Sequence, residues 1–207
     1  MGQVRLYLDR ELGEGQTISL SREQAHYLFG VMRMGLGETL EVFDGCTGAY
    51  AAEVAEAGKK GGTLAIGTRT APLRHPPDLW LLFVPIKKSR TDFIVEKAAE
   101  LGAARICPVQ TDFTNAERVR RDRLQAHAVE AAEQCGGTFV PQVADLARLS
   151  DVLADWPEDR RLMFCDEALA GPATALPDDH APWAILIGPE GGFSEAERAR
   201  LAALPGA

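Results

Sequence analysis

The sequence predicts an α/β protein in two parts, and three observations carry that reading. Short β-patterned runs separated by glycine turns fill the first third of the chain. A proline-rich stretch, Pro72-Leu73-Arg74-His75-Pro76-Pro77, then holds the backbone extended and cannot continue a ladder. Beyond it, strand-like apolar runs alternate with helical ones, the pattern of a mostly parallel sheet. The expected layout is a small barrel over residues 1–71, a linker over 72–77 and an α/β domain over 78–207.

In the first part, Val4-Arg5-Leu6-Tyr7-Leu8 alternates, and Leu40-Glu41-Val42-Phe43 runs into an Asp44-Gly45 turn. Residues 50–55 and 63–66 supply two further strands. One helix interrupts them: Ser21 with Gln24 three residues on makes a capping box, and Ala25, Leu28 and Met32 form an apolar stripe. His26, one turn past the cap, reads as structural. Several short strands plus one helix suggest a barrel.

In the second part, strands are expected at 79–85, 105–109, 139–143, 162–165 and 183–187. Helices are expected at 92–101, closed by Gly102, at 120–135 and at 145–153. Ile94, Ala98 and Leu101 make one apolar stripe, and Leu124, Ala128, Ala131 and Cys135 a second. Parallel sheets bind ligands beyond the carboxyl ends of their strands, which points to the loops after Cys165 and Ile187.

The second of those loops is the most informative segment. Residues 183–187 have the length and β-branched content of a strand covered on both faces, and Ser194 with Glu197 forms another capping box. Between them, Gly188-Pro189-Glu190-Gly191-Gly192 leaves few side chains over the turn, so backbone groups can approach a small molecule closely. The loop has neither the G-x-x-x-x-G-K-[ST] nor the G-x-G-x-x-G spacing of phosphate and dinucleotide sites. Glu190 would compete with a polyphosphate for the positive end of the following helix, so a neutral or cationic ligand fits better. The competing reading is a plain tight connection between strand and helix.

Composition narrows the class further. The chain has 207 residues, 46% hydrophobic and 25% charged, which suffices for two modest cores or one large one. Its longest apolar run, residues 79–86, is too short to cross a bilayer, and its N-terminus has no signal-peptide core, so a cytoplasmic protein without a membrane partner is expected. Cys46, Cys107, Cys135 and Cys165 are far apart in sequence and are expected to be reduced and mostly buried. His26, His75, His127 and His180 show no metal-ligand spacing, and no metal is expected. A net charge of −8 speaks against a nucleic-acid partner, but basic residues concentrate at Lys59-Lys60, at 69–75, at Lys87-Lys88-Ser89-Arg90 and at 118–123. Any one cluster can be a solvated face. Their recurrence at element ends suits a grip on a phosphate backbone.

Taken in order, the motifs resemble a known family. They are His26-Tyr27-Leu28-Phe29-Gly30-Val31-Met32-Arg33, Val42-Phe43-Asp44-Gly45, Lys87-Lys88-Ser89-Arg90, Glu96-Lys97-Ala98-Ala99-Glu100-Leu101-Gly102, Pro108-Val109, Glu130-Ala131-Ala132-Glu133-Gln134-Cys135 and Ile187-Gly188-Pro189-Glu190-Gly191-Gly192-Phe193-Ser194. This set is similar to the ribosomal RNA small subunit methyltransferase E family, part of the SPOUT superfamily of trefoil-knotted RNA methyltransferases. The resemblance implies an N-terminal PUA-like β-barrel that helps hold RNA, a C-terminal SPOUT α/β domain and a homodimer. It also implies the cofactor S-adenosyl-L-methionine and methylation of uracil N3 in 16S ribosomal RNA, free or in a small-subunit particle.

On that resemblance the cofactor-binding residues are Cys165, Asp166, Ile187, Gly188, Pro189, Glu190, Gly191 and Gly192, with Glu167 continuing the first loop. S-adenosyl-L-methionine is cationic at sulfur and carries no phosphate, so Glu190 is tolerable beside it. Arg33, Lys87, Lys88, Arg90, Arg118, Arg120 and Arg121 are the candidate contacts to RNA, with solvated loops as the competing reading. Lys97 and Glu100 can serve at a dimer interface or form a surface pair. No residue is assigned as a general base. Two departures from the family stand out. Gly137 occupies a position where many relatives have arginine, and the chain ends after the helix begun at Ser194, before the family's final arginine-bearing strand and helix. A chain of these residues alone is therefore expected to bind cofactor weakly and to lack catalysis, with a non-catalytic RNA-binding, dimerising protein of the same fold as the alternative function.

Overall fold

The computed structural model describes residues 3–58, 61–114, 118–166 and 181–204. It divides into two compact units, Met1–His75 with Ala132–Phe139, and Pro76–Ala131 with Val140–Ala207.

The first unit is built on a five-stranded sheet of β1 (Arg5–Tyr7), β2 (Thr17–Ser19), β3 (Thr39–Phe43), β4 (Gly48–Gly58) and β5 (Gly61–Pro72), in the order β1-β3-β4-β5-β2. Only β1 and β3 run parallel. Alternation sends Leu40 and Val42 of β3 inward with Val54, Leu64 and Leu28, all fully buried. Strand β2 carries no sequence signal because it has three residues, with Ile18 buried between exposed Thr17 and Ser19. The segment Ala132–Phe139 is held in this unit by Arg5, whose guanidinium donates to the carbonyls of Ala132, Glu133 and Gly137 and pairs with Glu41 at 2.7 Å.

The predicted capping box forms as read: Gln24 N–H donates to Ser21 Oγ at 3.2 Å, and Ser21 N–H donates to Gln24 Oε1 at 2.9 Å. Helix α1 (Arg22–Ala25) then widens into a π-helical turn, His26–Val31, in which Met32 N–H reaches back to the Tyr27 carbonyl. That extra residue per turn rotates Met32 off the expected stripe. Ala25 and Leu28 are buried, whereas Met32 is 37% exposed.

In the second unit the elements are β6 (Leu79–Phe83), α2 (Lys88–Glu100), β7 (Arg105–Gln110), α3 (Arg121–Cys135), β8 (Gln142–Val143), β9 (Ala147–Arg148), α4 (Leu149–Ala154), β10 (Arg161–Cys165), β11 (Trp183–Ile187) and α5 (Glu195–Ala202). The last turn of α3 counts with the first unit. Among the described residues all pairings of this unit are parallel, in the order β10-β11-β6-β7-β8, with β9 also on β7. One sheet face packs Phe83, Ile106 and Val143 against Val95 and Ala98 of α2 and Leu124 and Ala128 of α3. The opposite face packs Leu82, Leu162, Ala184 and Leu186 against Leu149 of α4 and Leu201 of α5.

Several expectations change in this unit. Helix α2 starts at Lys88, not 92, and it has no side-chain cap to announce it. Its inward face is Thr91, Asp92, Val95 and Ala98, because polar Thr91 holds the position an apolar stripe would need, and Leu101 is 84% exposed. The helix expected at 145–153 begins instead as the short strand β9, which pairs with Val109 and Gln110 before α4 starts. Only Cys107 of the four free cysteines is buried. Burial pushes its thiol above the ordinary range. Strand β11 forms at the expected residues, but it buries only Ala184 and Leu186 fully, and Ile187 is 47% exposed.

Candidate functional site

Strands β6 and β11 lie side by side, and the last hydrogen bond between them runs from Val84 N–H to the Ile187 carbonyl at 3.1 Å. Beyond it the two chains part, β6 leading to α2 on one face of the sheet and β11 to α5 on the other. Such a parting opens a crevice at the carboxyl ends of the strands. A cleft of about 700 Å³ occupies it, well inside the range of small-molecule sites. Its walls are Pro85, Ile86 and Lys87 after β6, Asp112, Phe113 and Thr114 after β7, and Pro189, Glu190 and Gly191 after β11.

The glycine loop is shaped by what it folds over. A Cβ on Gly188 would overlap the ring of Phe193, which is buried edge-on against Phe164 with ring centroids 4.8 Å apart. Gly192, at φ +69°, closes the turn by donating to the Pro189 carbonyl at 2.9 Å.

The capping box at the start of α5 reaches further than a cap. Glu197 is 8% exposed; one carboxyl oxygen accepts from Ser194 N–H and the other from Asp112 N–H, both at 2.9 Å. Ser194 Oγ donates in turn to the Asp112 carboxylate at 2.6 Å. One buried side chain thus ties the loop after β7 to the loop after β11. On the opposite wall, Thr91 Oγ accepts from Ile86 N–H at 3.0 Å and lies 3.1 Å from the Ile86 carbonyl, which sets the corner that carries Lys87.

The predicted ligand residues separate into those that line this cleft and those that stand behind it. Pro189, Glu190 and Gly191 line it; Gly188 and Gly192 shape its loop, and Ile187 ends the strand below. Cys165 ends β10, and Asp166 follows with its carboxylate held by Arg198 through two bonds of 2.7 and 3.0 Å. Glu167 lies outside the described residues.

Among the predicted RNA contacts, Lys87 lines the same cleft, while Lys88, Arg118 and Arg120 line a neighbouring one of about 290 Å³. Arg90 is exposed on α2 and lines neither. Arg121 donates to the Val143 carbonyl at 2.9 Å, an anchor between α3 and β8. Arg33 belongs to the first unit, where it follows the π-helical turn with φ +58°. Lys59-Lys60 lie outside the described residues. Lys97 and Glu100 pair with each other on α2 at 2.7 Å.

Sequence reasoning passed over Asp112, Phe113, Thr114 and the far reach of Glu197. The rule that directs ligands to strand ends applied equally to the loop after β7, and it would have found the first three. Among the described residues no helix is long and apolar enough to cross a membrane, and no group of three or more His, Cys, Asp or Glu could hold a metal ion.

Residues 74–206 match the model of a family described as the RNA methyltransferase domain. The chain belongs to that family. Residues 20–66 match a second model, the RNA methyltransferase PUA domain, in agreement with the resemblance carried by the motifs. Relatives in the family include the ribosomal RNA small subunit methyltransferase E of Rickettsia conorii, 24% identical across 96% of this chain and 82% of that protein. The protein of the same name from Bacillus subtilis is 27% identical across 93% and 81%. The solved structure of the Neisseria gonorrhoeae ribosomal RNA small subunit methyltransferase E, bound to S-adenosyl methionine, superposes with a TM-score of 0.85. It is 26% identical, with 97% of this chain and 85% of that one covered.

Proposed function

We propose that this protein methylates ribosomal RNA with S-adenosyl-L-methionine as donor, and that its target is N3 of a uracil in the 16S molecule. One observation carries the reading: the glycine loop, which lacks the spacing of a phosphate-binding motif, and Lys87 line a single cleft where β6 and β11 part. The Neisseria relative, solved with the same donor, supports it.

The donor set suits this cofactor. The loop backbone at Glu190 and Gly191, which line the cleft, offers polar groups to an adenosine, and the carboxylates of Glu190 and Asp112 favour a ligand that is cationic at sulfur and nitrogen. Cys165 and Asp166 extend this set from the end of β10, with the Asp166 carboxylate already engaged by Arg198. When bound, the cofactor supplies a methyl group on an electrophilic sulfonium. Uracil N3 attacks only after losing its proton, which leaves to solvent through the open mouth of the cleft, and the negative charge then spreads to the flanking carbonyl oxygens. Lys87 is the one cation among the described residues that line the cleft, and its ammonium steadies that charge. The glycine loop and the Lys87 corner face each other across the cleft, so methyl donor and base are held together.

The test is to incubate the protein with donor and small-subunit particles from cells lacking the modification, then to analyse the nucleosides of the RNA. In contrast to the lack of catalysis expected from the sequence alone, 3-methyluridine should accumulate, and Lys87→Ala should slow it roughly 10²-fold while calorimetric affinity for the donor stays unchanged. A different methylated nucleoside would overturn the N3 assignment. RNA binding without methyl transfer would favour the non-catalytic reading. We also propose a homodimer, for which sedimentation equilibrium should return twice the chain mass.

A further inference from the structure

The corner after β6, residues 85–88, is a wall shared by two clefts. Pro85 and Ile86 line both; Lys87 faces the larger one and its neighbour Lys88 the smaller, of about 290 Å³. Besides Lys88, this second cleft is lined by Thr91, Asp92, Arg118, Arg120 and Arg123. Its charges do not cancel. Arg123 is paired with the buried Asp92, and Arg120 with Asp122, whereas Lys88 and Arg118 form no ion pair among the described residues.

The start of α2 adds a local oddity. Helices favour carboxylates in the first turn and disfavour cations there, because the exposed N–H groups carry partial positive charge. Here Lys87 is the N-cap without a side-chain bond, Lys88 and Arg90 follow, and the first turn has no acidic residue. Such a violation of a local rule is expected where function outweighs local stability.

We infer that this second cleft seats a backbone phosphate of the RNA strand whose uridine enters the first. Lys88 and Arg118 supply the cations, and the N–H groups of Lys88 and Ser89, ahead of the first bonds of α2 from Arg90 and Thr91 to the Lys87 carbonyl, supply donors. Adjacent residues then divide the work: Lys87 serves the base and Lys88 the backbone beside it, so the phosphate contact fixes the register in which the base is presented. The assignment rests on the RNA substrate proposed above.

The experiment measures binding of a short fluorescein-labelled oligouridylate to the full chain by anisotropy at several salt concentrations. In the double variant Lys88→Ala/Arg118→Ala, affinity should fall several-fold, and the slope of log K against log salt should shrink by about 0.7, the value of one phosphate contact on a single strand. Lys97→Ala, on the same helix but paired with Glu100, should change neither. Ser89→Asp places a carboxylate in the first turn; it should weaken RNA binding while melting at or above the wild-type temperature, which separates a lost phosphate seat from lost folding. Calorimetric affinity for S-adenosyl-L-methionine should be the same in all variants. An unchanged salt slope in the double variant, or an equal loss in Lys97→Ala, would overturn the phosphate seat and leave the methyl-transfer reading intact. Absence of RNA binding by the unaltered chain would remove both the substrate and the seat.

Discussion

Two buried carboxyl groups, Asp44 in the first unit and Glu197 in the second, are held by the same interaction and serve different ends. Asp44, 3% exposed, accepts from Cys46 N–H at 2.8 Å and Thr47 N–H at 2.7 Å within its own turn, from the Thr47 hydroxyl, and from distant Leu12 N–H at 2.9 Å. Glu197 accepts one local donor, Ser194 N–H, and one 85 residues away, Asp112 N–H. Donor count decides the outcome. Asp44 takes all its donors but Leu12 N–H from its own turn, which it shapes; Glu197 divides its two carboxyl oxygens between the loops that line the candidate site. The first holds one turn, the second joins the two loops that wall the candidate cleft.

Substituting the first carboxylate should have the largest effect on folding. Asp44→Asn turns an acceptor into a donor facing N–H groups and should cost about 3 kcal/mol in urea unfolding, with little change in donor affinity per folded molecule. Its pH dependence has a definite sign. Burial alone would raise the Asp44 carboxyl, but the Thr47 hydroxyl and the N–H groups of Thr47, Cys46 and Leu12 outweigh it and hold it below the ordinary 3.8. A lowered folded-state value stabilises the protein fully above the ordinary value and loses that contribution as pH falls through the folded one. The stability gap between wild type and Asp44→Asn should therefore be widest near neutrality and close in acid below about pH 4. A gap independent of pH would contradict the ionised, fully bonded Asp44.

Glu197→Ala removes a cap and the link to Asp112, and should cost about 2 kcal/mol. Here the comparison predicts a second readout: S-adenosyl-L-methionine affinity should weaken in calorimetry even under conditions where the variant is fully folded. Parallel behaviour of the Asp44 and Glu197 variants in both assays would dissolve the distinction between them. Gly188→Ala should have the smallest effect, about 1–2 kcal/mol, because its new methyl meets the Phe193 ring. Adding Phe193→Leu should recover part of that loss by making room, at the expense of the Phe164 contact.

What could be read in advance follows from the range of each interaction. Both capping boxes, Ser21 with Gln24 and Ser194 with Glu197, were legible because donor and acceptor lie three residues apart. Strand β11 was legible from its apolar run. The π-helical turn was not, since one inserted residue leaves the apolar pattern intact while rotating Met32 into solvent. Nor was the inward face of α2, where Thr91 holds the chain through hydrogen bonds to Ile86 instead of apolar contact.

The sequence by itself determined the local grammar of this protein: two parts with different periodicities, two capped helix starts, and a glycine loop after an apolar strand. These depend on residues within one or two turns of each other, where spacing is enough. Only the tertiary structure decided which loops meet. It brought Asp112 to Glu197 across 85 residues, put Lys87 and Glu190 in the walls of one cleft, and put Lys88 and Arg118 in the walls of another. Those encounters depend on strand order and on the face to which each crossover helix is sent, and neither quantity is written in the spacing along one segment.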